Sequence, residues 1–337
     1  MSPLQQALTQ YLTEAEAEAR AAARGAEAVM GSCDLAFARH LVGQAAFPNP
    51  DAFARHLALL RSVQMAGTSP SGSAQLSVHL TAYALASLNL AGEDCRDAAA
   101  AFVGDQTWDW RRLVDVETLL PLWPRRYAHH AWRVGHWVGG APAILRLLWV
   151  LSPKVCAVLA IPSARQVLEA CDRLIDPTTG LLRTWRSSLL QSTFRRVYRL
   201  RHDPDAGDIG GVAHLHWINH AEGRLPYKSA AALQERAWRL MQRRPFIEAS
   251  PYCLDFDVVQ MVRTSAAGPL GPEVRQRAQD YAVDIADFLA EARSDYSLHR
   301  LPGALATLHE CALTGGEAKV FGLDIPPCDI ITAAGWL

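Results

Sequence analysis

A chain of 337 residues that is half apolar and one fifth charged can bury a large core, which excludes disorder as its main state. Its 33 basic and 34 acidic residues nearly cancel, and no basic block of five or more builds the positive surface that phosphate backbones require, so no nucleic-acid partner is expected. The seven cysteines are odd in number, scattered and without Cys-x-x-Cys spacing; they read as reduced thiols of a cytoplasmic protein, not as a disulfide frame or a zinc cluster.

Taken in chain order, residues 1–30 form an N-terminal amphipathic helix, acidic at Glu14, Glu16 and Glu18 and then basic at Arg20 and Arg24. They contain no apolar core with a cleavage site, so no secretion signal is expected. Helical periodicity continues to the end of the chain, and no alternating apolar and polar run bounded by turn signals argues for a sheet. The fold class is therefore all-α, with helices expected over 3–24, 34–45, 51–66, 73–91, 114–127, 133–150, 163–175, 186–200, 209–222, 229–243, 254–266, 271–292 and 300–314. Pro48 and Pro50 before Asp51 mark a helix start, whereas Gly92, the run Asp176-Pro177-Thr178-Thr179-Gly180, and Gly315-Gly316 mark stops. The most hydrophobic stretch, Ala141 to Pro162, is broken by Arg146, Pro153 and Lys154. It falls short of the roughly 20 clean apolar residues of a membrane span and reads as a buried helix pair, so no membrane partner is expected. The apolar, turn-rich tail 322–337 reads as a strap lying against the body.

Three segments concentrate polar and aromatic chemistry. In the first, His129, Arg133, His136 and Trp137 recur at spacings of three and four, with Trp132 beside them. Indole faces stack on apolar ring faces and a guanidinium clamps an anion, a set that suits a sugar or carboxylate ligand. Gly139 and Gly140 allow close approach of a backbone. In the second, Asp208 reads as an N-cap, and His216, Asn219 and His220 share one face at i, i+3 and i+4, with Trp217 between them. Two imidazoles one turn apart can chelate zinc, but Trp217 stands where zinc proteases carry their Glu and no third ligand is indicated; neither a metal nor another cofactor is expected. The third segment, Tyr252 to Gln260, carries Asp255 and Asp257. Neighbouring carboxylates can be an acid and base because like charges push one pKa upward. On a helix, i and i+2 diverge, so Asp257 is assigned to the cavity and Asp255 to a capping role.

The segment Ser77 to Gly92 resembles a helix of an (α/α) toroid, and Asp176 to Leu182 resembles the turn joining helix pairs in such folds. The superfold, which includes six-hairpin glycosidases, polysaccharide lyases, sugar epimerases and terpenoid cyclases, implies a single (α/α)6-type domain of paired antiparallel helices. Asn219 and His220 with Arg224 and Tyr227 downstream resemble by residue type the lyase set, in which Asn and Arg neutralise a uronate carboxylate while His or Tyr moves the proton. Asp255-Phe256-Asp257 resembles the Asp-x-Asp-Asp acid of class II terpenoid cyclases, departing from it at Val258 and in lacking Gln-Trp repeats. The leading expectation is an enzyme acting on a carbohydrate or oligosaccharide as hydrolase, lyase or epimerase. Asp257 and one of His216 or His220 would supply acid and base, Arg133 and Asn219 would orient the substrate, and Trp132, Trp137 and Trp217 would stack on it. A terpenoid cyclase or dehydratase and a non-catalytic scaffold are the rivals.

Overall fold

The computed structural model describes residues 2–21, 25–69, 75–115, 131–183, 204–225, 229–291 and 296–337, with isolated positions between 187 and 197. Its helices are α1 (Pro3–Ala21), α2 (Ala26–Leu41), α3 (Pro50–Arg61), α4 (Val78–Asn89), α5 (Glu93–Gly104), α6 (Arg111–Val114), α7 (Ala131–Leu151), α8 (Pro153–Val158), α9 (Ala164–Cys171), α10 (Pro204–Ala221), α11 (Ala230–Met241), α12 (Cys253–Thr264), α13 (Pro272–Ala290), α14 (Leu301–Gly315) and α15 (Ile330–Ala334). Among the described residues there is no strand, only isolated bridges such as Ile175 with Leu182. Helix starts are set locally: Asn49 Oδ1 accepts from the N–H of Ala52, Ser77 Oγ from that of Leu80, and Asp329 Oδ1 from that of Thr332.

The helices fall into two kinds because burial follows the pattern of apolar residues. Helices α4, α10, α12 and α14 are buried along almost their whole length, as helices that are apolar all round must be. With α2 and α7 they form a closed series of contacts: α2 packs on α4, α4 on α7, α7 on α10, α10 on α12, α12 on α14, and α14 back on α2. The helices with one apolar stripe lie against this series, α1 on α2 and α13, α5 on α4 and α7, α9 on α7, α11 on α12, and α13 on α14. Within α7, Val134–Leu151 is long and apolar enough to cross a membrane by composition, and 72% of it is buried inside the protein.

Glycines decide how closely α7 and α10 approach. A Cβ on Gly135 would stand 2.0 Å from the Gly211 carbonyl oxygen, one on Gly139 2.5 Å from the His214 carbonyl carbon, and one on Gly210 1.8 Å from Trp132 Nε1. The tail runs back over the series: α15 packs on α10 and α4, Asn89 Nδ2 donates to the Ala333 and Ala334 carbonyls at 2.9 and 3.2 Å, and Trp336 is fully buried.

Two boundaries depart from the sequence expectation for physical reasons. Residues 93–104, expected as a connection, are α5, a helix whose narrow stripe of Ala99, Phe102 and Val103 gives little periodic signal. Helix α2 begins at Ala26, eight residues before the expected start, and runs through Gly31. The helices expected over 114–127 and 186–200 lie largely outside the described residues.

Candidate functional site

The first turns of α4 and α7 and the middle of α10 bring three imidazoles together. His79 stacks on His136 with ring centroids 4.4 Å apart, and the His214 ring meets His136 edge-on at 4.7 Å and His79 at 5.6 Å. The α7 to α10 glycine contact makes this approach possible, since any side chain at Gly139 would displace His214. His214 Nδ1 lies 2.9 Å from the Gly210 carbonyl, so it carries the proton and leaves Nε2 with a lone pair. His79 Nδ1 is out of solvent and without a hydrogen-bond partner among the described residues. Burial, then the neighbouring imidazoles, push the pKa of His79 well below its usual value, and burial followed by His136 does the same to His214. These rings are neutral at physiological pH. Beneath them Trp336 packs 5.5 Å from His79, 5.2 Å from His214 and 5.3 Å from Trp217.

The start of α12 supplies the acids. Asp255 is fully buried and satisfied: Oδ2 accepts from the Tyr252 N–H at 2.9 Å, and Oδ1 accepts from the Ile247 N–H at 3.2 Å and from the Tyr281 hydroxyl. It closes the helix start and braces α12 to α13. Asp257 is also fully buried, yet neither carboxylate oxygen has a hydrogen-bond partner among the described residues. One turn on, both amide atoms of buried Gln260 are likewise without one. Burial, with the Asp255 charge adding to it, raises the Asp257 pKa well above the carboxylate range, so this side chain is a neutral acid. Half-buried Cys253, one turn before Asp257, is pushed well above its usual range by burial and then by the two aspartates.

The three segments singled out in the sequence meet pairwise. Trp132 lies edge-on to Tyr252 at 6.2 Å, His136 meets His214, and Trp217 meets Phe256 at 5.6 Å. Within the segments the side chains divide. Trp217 is buried among His214, Phe256 and Trp336, so its faces are taken by protein. Trp137 is 36% exposed on the outer side of α7, away from His136. His216, Asn219 and His220 turn away from the imidazole cluster. Thr264 Oγ1 donates to the Gln260 carbonyl and lies 2.6 Å from His216 Nε2, while burial pushes the His216 pKa down to about 3. Asn219 donates to the Leu215 carbonyl at 3.0 Å and accepts from Arg224 at 2.6 Å; Arg224 in turn reaches Asp172 at 2.7 Å. His220 Nε2 is 2.7 Å from Asp329 Oδ2, which also accepts from Arg263 at 2.8 Å. These groups tie the strap and the end of α10 to the body. His129 and Tyr227, and the side chain of Arg133, lie outside the described residues.

The sequence reading missed the convergence of His79, His136 and His214. The available signal was that each imidazole sits on an otherwise apolar helix, close to glycines that let neighbouring helices touch. Two surface clefts, one beside Trp238 and Gly268 and one beside Asp280 and Phe321, contain none of these groups. No protein family, curated protein or solved structure matches this chain.

Proposed function

We propose that the chain is an (α/α)6 toroid enzyme that performs acid and base chemistry on a small carbohydrate or polyhydroxylated substrate, with Asp257 as the general acid. The observation that carries this reading is the fully buried carboxyl group of Asp257, which has no hydrogen-bond partner among the described residues. A side chain of this kind costs stability, and a carboxyl kept neutral in a low-dielectric site is suited to donating a proton at pH 7. The closed series of six buried helices supports the toroid reading, as does the placement of His79, His136, Cys253 and Asp257 in the first two turns of α4, α7 and α12. Trp132 and Tyr252, half-buried and edge-on to one another, are the aromatic side chains beside the start of this helix, with the Arg300 guanidinium over the Tyr252 ring at 5.5 Å.

The test is turnover by the full chain on a panel of glycosides, uronate oligosaccharides and reducing sugars, comparing wild type with Asp257→Asn. Loss of a general acid is expected to lower turnover by about 10²- to 10⁴-fold with substrate binding retained. Equal turnover in the two proteins overturns the assignment. A second reading, cyclisation of an isoprenoid by a protonated Asp, is favoured by the packing of Trp217, Phe256 and Trp336 beside this helix. Turnover of an isoprenoid in place of every sugar would select it.

A further inference from the structure

Three imidazoles from three helices that pack in succession bring one ligand atom each into a small common volume. The nitrogens of His79, His136 and His214 available for coordination all lie within 4.8 Å of each other, and no carboxylate belongs to the group. We propose that this triad binds one divalent transition-metal ion of the zinc class, with at least one coordination position open to water or substrate.

The donor set selects the metal. Neutral imidazole suits zinc, copper and nickel and is a poor match for magnesium or calcium, which take oxygen ligands. Three histidines with a fourth position open are a zinc arrangement that activates water, whereas structural zinc sites are closed by four protein ligands. A tetrahedral ion with Zn–N bonds near 2.0–2.1 Å holds its nitrogens about 3.3 Å apart, so the triad must contract by at most roughly 1.5 Å. Small rotations of half-buried His79 and His136 about their side-chain torsions would close a gap of that size.

Two further features fit coordination. A metal-bound histidine ordinarily donates its other ring N–H to a carbonyl or carboxylate, which fixes the tautomer, and His214 does this through Nδ1 to Gly210. His79 Nδ1 is a buried polar atom without a hydrogen-bond partner among the described residues, and an ion ligated there would satisfy it. The supporting backbone is rigid, because the glycine contact between α7 and α10 leaves no room for those helices to shift. The inference rests on the geometry of these rings and stands whether or not Asp257 is the acid.

The experiment uses the full chain, stripped with a chelator and titrated with Zn²⁺ by calorimetry and with Co²⁺ by visible absorption. The expected result is one ion per chain, tetrahedral cobalt bands, quenching of Trp336 and Trp217 emission by Co²⁺, and a zinc-dependent rise in Tm. His79→Gln and His136→Gln, each checked for an unchanged far-ultraviolet circular dichroism spectrum, should weaken binding by at least about tenfold. His220→Gln, which lies in the strap contacts, should leave it unchanged. If the wild type takes up no ion, or if both triad variants bind zinc as the wild type does, the metal site is overturned. The two variants report separately, so a folding defect in one still leaves the other to decide. Sugar turnover does not enter these readouts, so failure of the Asp257 assignment and failure of the metal site are distinguishable.

Discussion

The first two turns of α12 and its last turn bury opposite kinds of polar chemistry on one short helix. Near the start, Asp257 and Gln260 are removed from solvent with no hydrogen-bond partner among the described residues. At the end, Arg263 gives Glu310 two hydrogen bonds of 2.7 and 2.9 Å and Asp329 a third of 2.8 Å, and His220 completes the group. Burial opposes the ionisation of Asp329, yet the His220 hydrogen bond and the Arg263 charge hold its pKa well below the usual carboxylate range. The contrast separates two uses of polarity. Buried charges that are fully paired fasten one element to another, here the strap to α12 and α14. Buried groups left unpaired weaken the fold and persist where a ligand, an ion or a reacting proton completes them.

The largest expected effect tests the fastened end. Glu310→Ala removes two of the three carboxylate hydrogen bonds of Arg263, leaves it only Asp329 beside a cavity, and is expected to lower stability by about 3–5 kcal/mol in urea unfolding followed by tryptophan emission. Replacing Arg263 and Glu310 together by Met and Leu should cost less, because the buried pair is then removed as a unit and Asp329 keeps its hydrogen bond to His220. An unchanged midpoint for Glu310→Ala would remove the distinction between the two ends of α12.

The next effect is a pH dependence at the same end. His309 Nδ1 accepts from the Cys328 N–H at 2.9 Å and Nε2 lies 2.7 Å from the Leu41 carbonyl, an arrangement that holds the neutral ring. Burial pushes its pKa down to about 4, against 6.5 in an unfolded chain. Below pH 6.5 the unfolded state takes up a proton that the folded state refuses, so stability falls with falling pH and stops falling near pH 4. The slope is about 1.4 kcal/mol per pH unit, or roughly 3 kcal/mol over the window. Relative to His309→Gln, the wild type should lose that amount between pH 6.5 and 4; parallel curves would show that His309 takes up its proton in the fold as readily as in the unfolded chain.

How much of this was legible in the sequence follows from the range of each interaction. The all-helical class and most long helices were readable because periodicity and caps are local. The capping role of Asp255 was readable because it stands at the third position of a helix start, where a carboxylate reaches back to a free backbone N–H. The turn of His216, Asn219 and His220 away from the imidazole cluster was not, because that face is set by Thr264, Arg224 and Asp329, which lie 5 to 109 residues away in sequence from the groups they meet. Gly139 was readable as a place of close backbone approach, but the approaching backbone is that of α10 and not of a ligand. That contact gives a third prediction, of intermediate size. Gly139→Ala puts a methyl group 2.5 Å from the His214 backbone and should cost about 1–3 kcal/mol while separating His136 from His214. Gly31→Ala, in the interior of α2 with nothing within 4 Å of the new methyl, should instead stabilise by about 0.5–1 kcal/mol. Equal outcomes at the two glycines would mean that the α7 to α10 packing is looser than these distances require.

The smallest stability effect is expected at the residue with the largest functional claim. Asp257 has no hydrogen-bond partner among the described residues to lose, and Asn matches the shape of its protonated form, so Asp257→Asn should change stability by no more than about 1 kcal/mol near pH 4. Because burial raises the Asp257 pKa in the fold, the unfolded state ionises first as pH rises above 4, and the wild type loses stability until the folded group ionises as well. The Asn variant lacks that loss and should be at least as stable as the wild type at pH 7. Asp255→Asn is the contrasting case, because an amide there faces the Tyr252 and Ile247 N–H groups and the Tyr281 hydroxyl and leaves donors against donors. A side chain whose removal costs turnover while stability is unchanged or improved is held in place by selection on chemistry and not on folding. If Asp257→Asn destabilised the protein as Asp255→Asn does, the unpaired carboxyl would belong with the fastened groups, and the comparison along α12 would no longer mark a site.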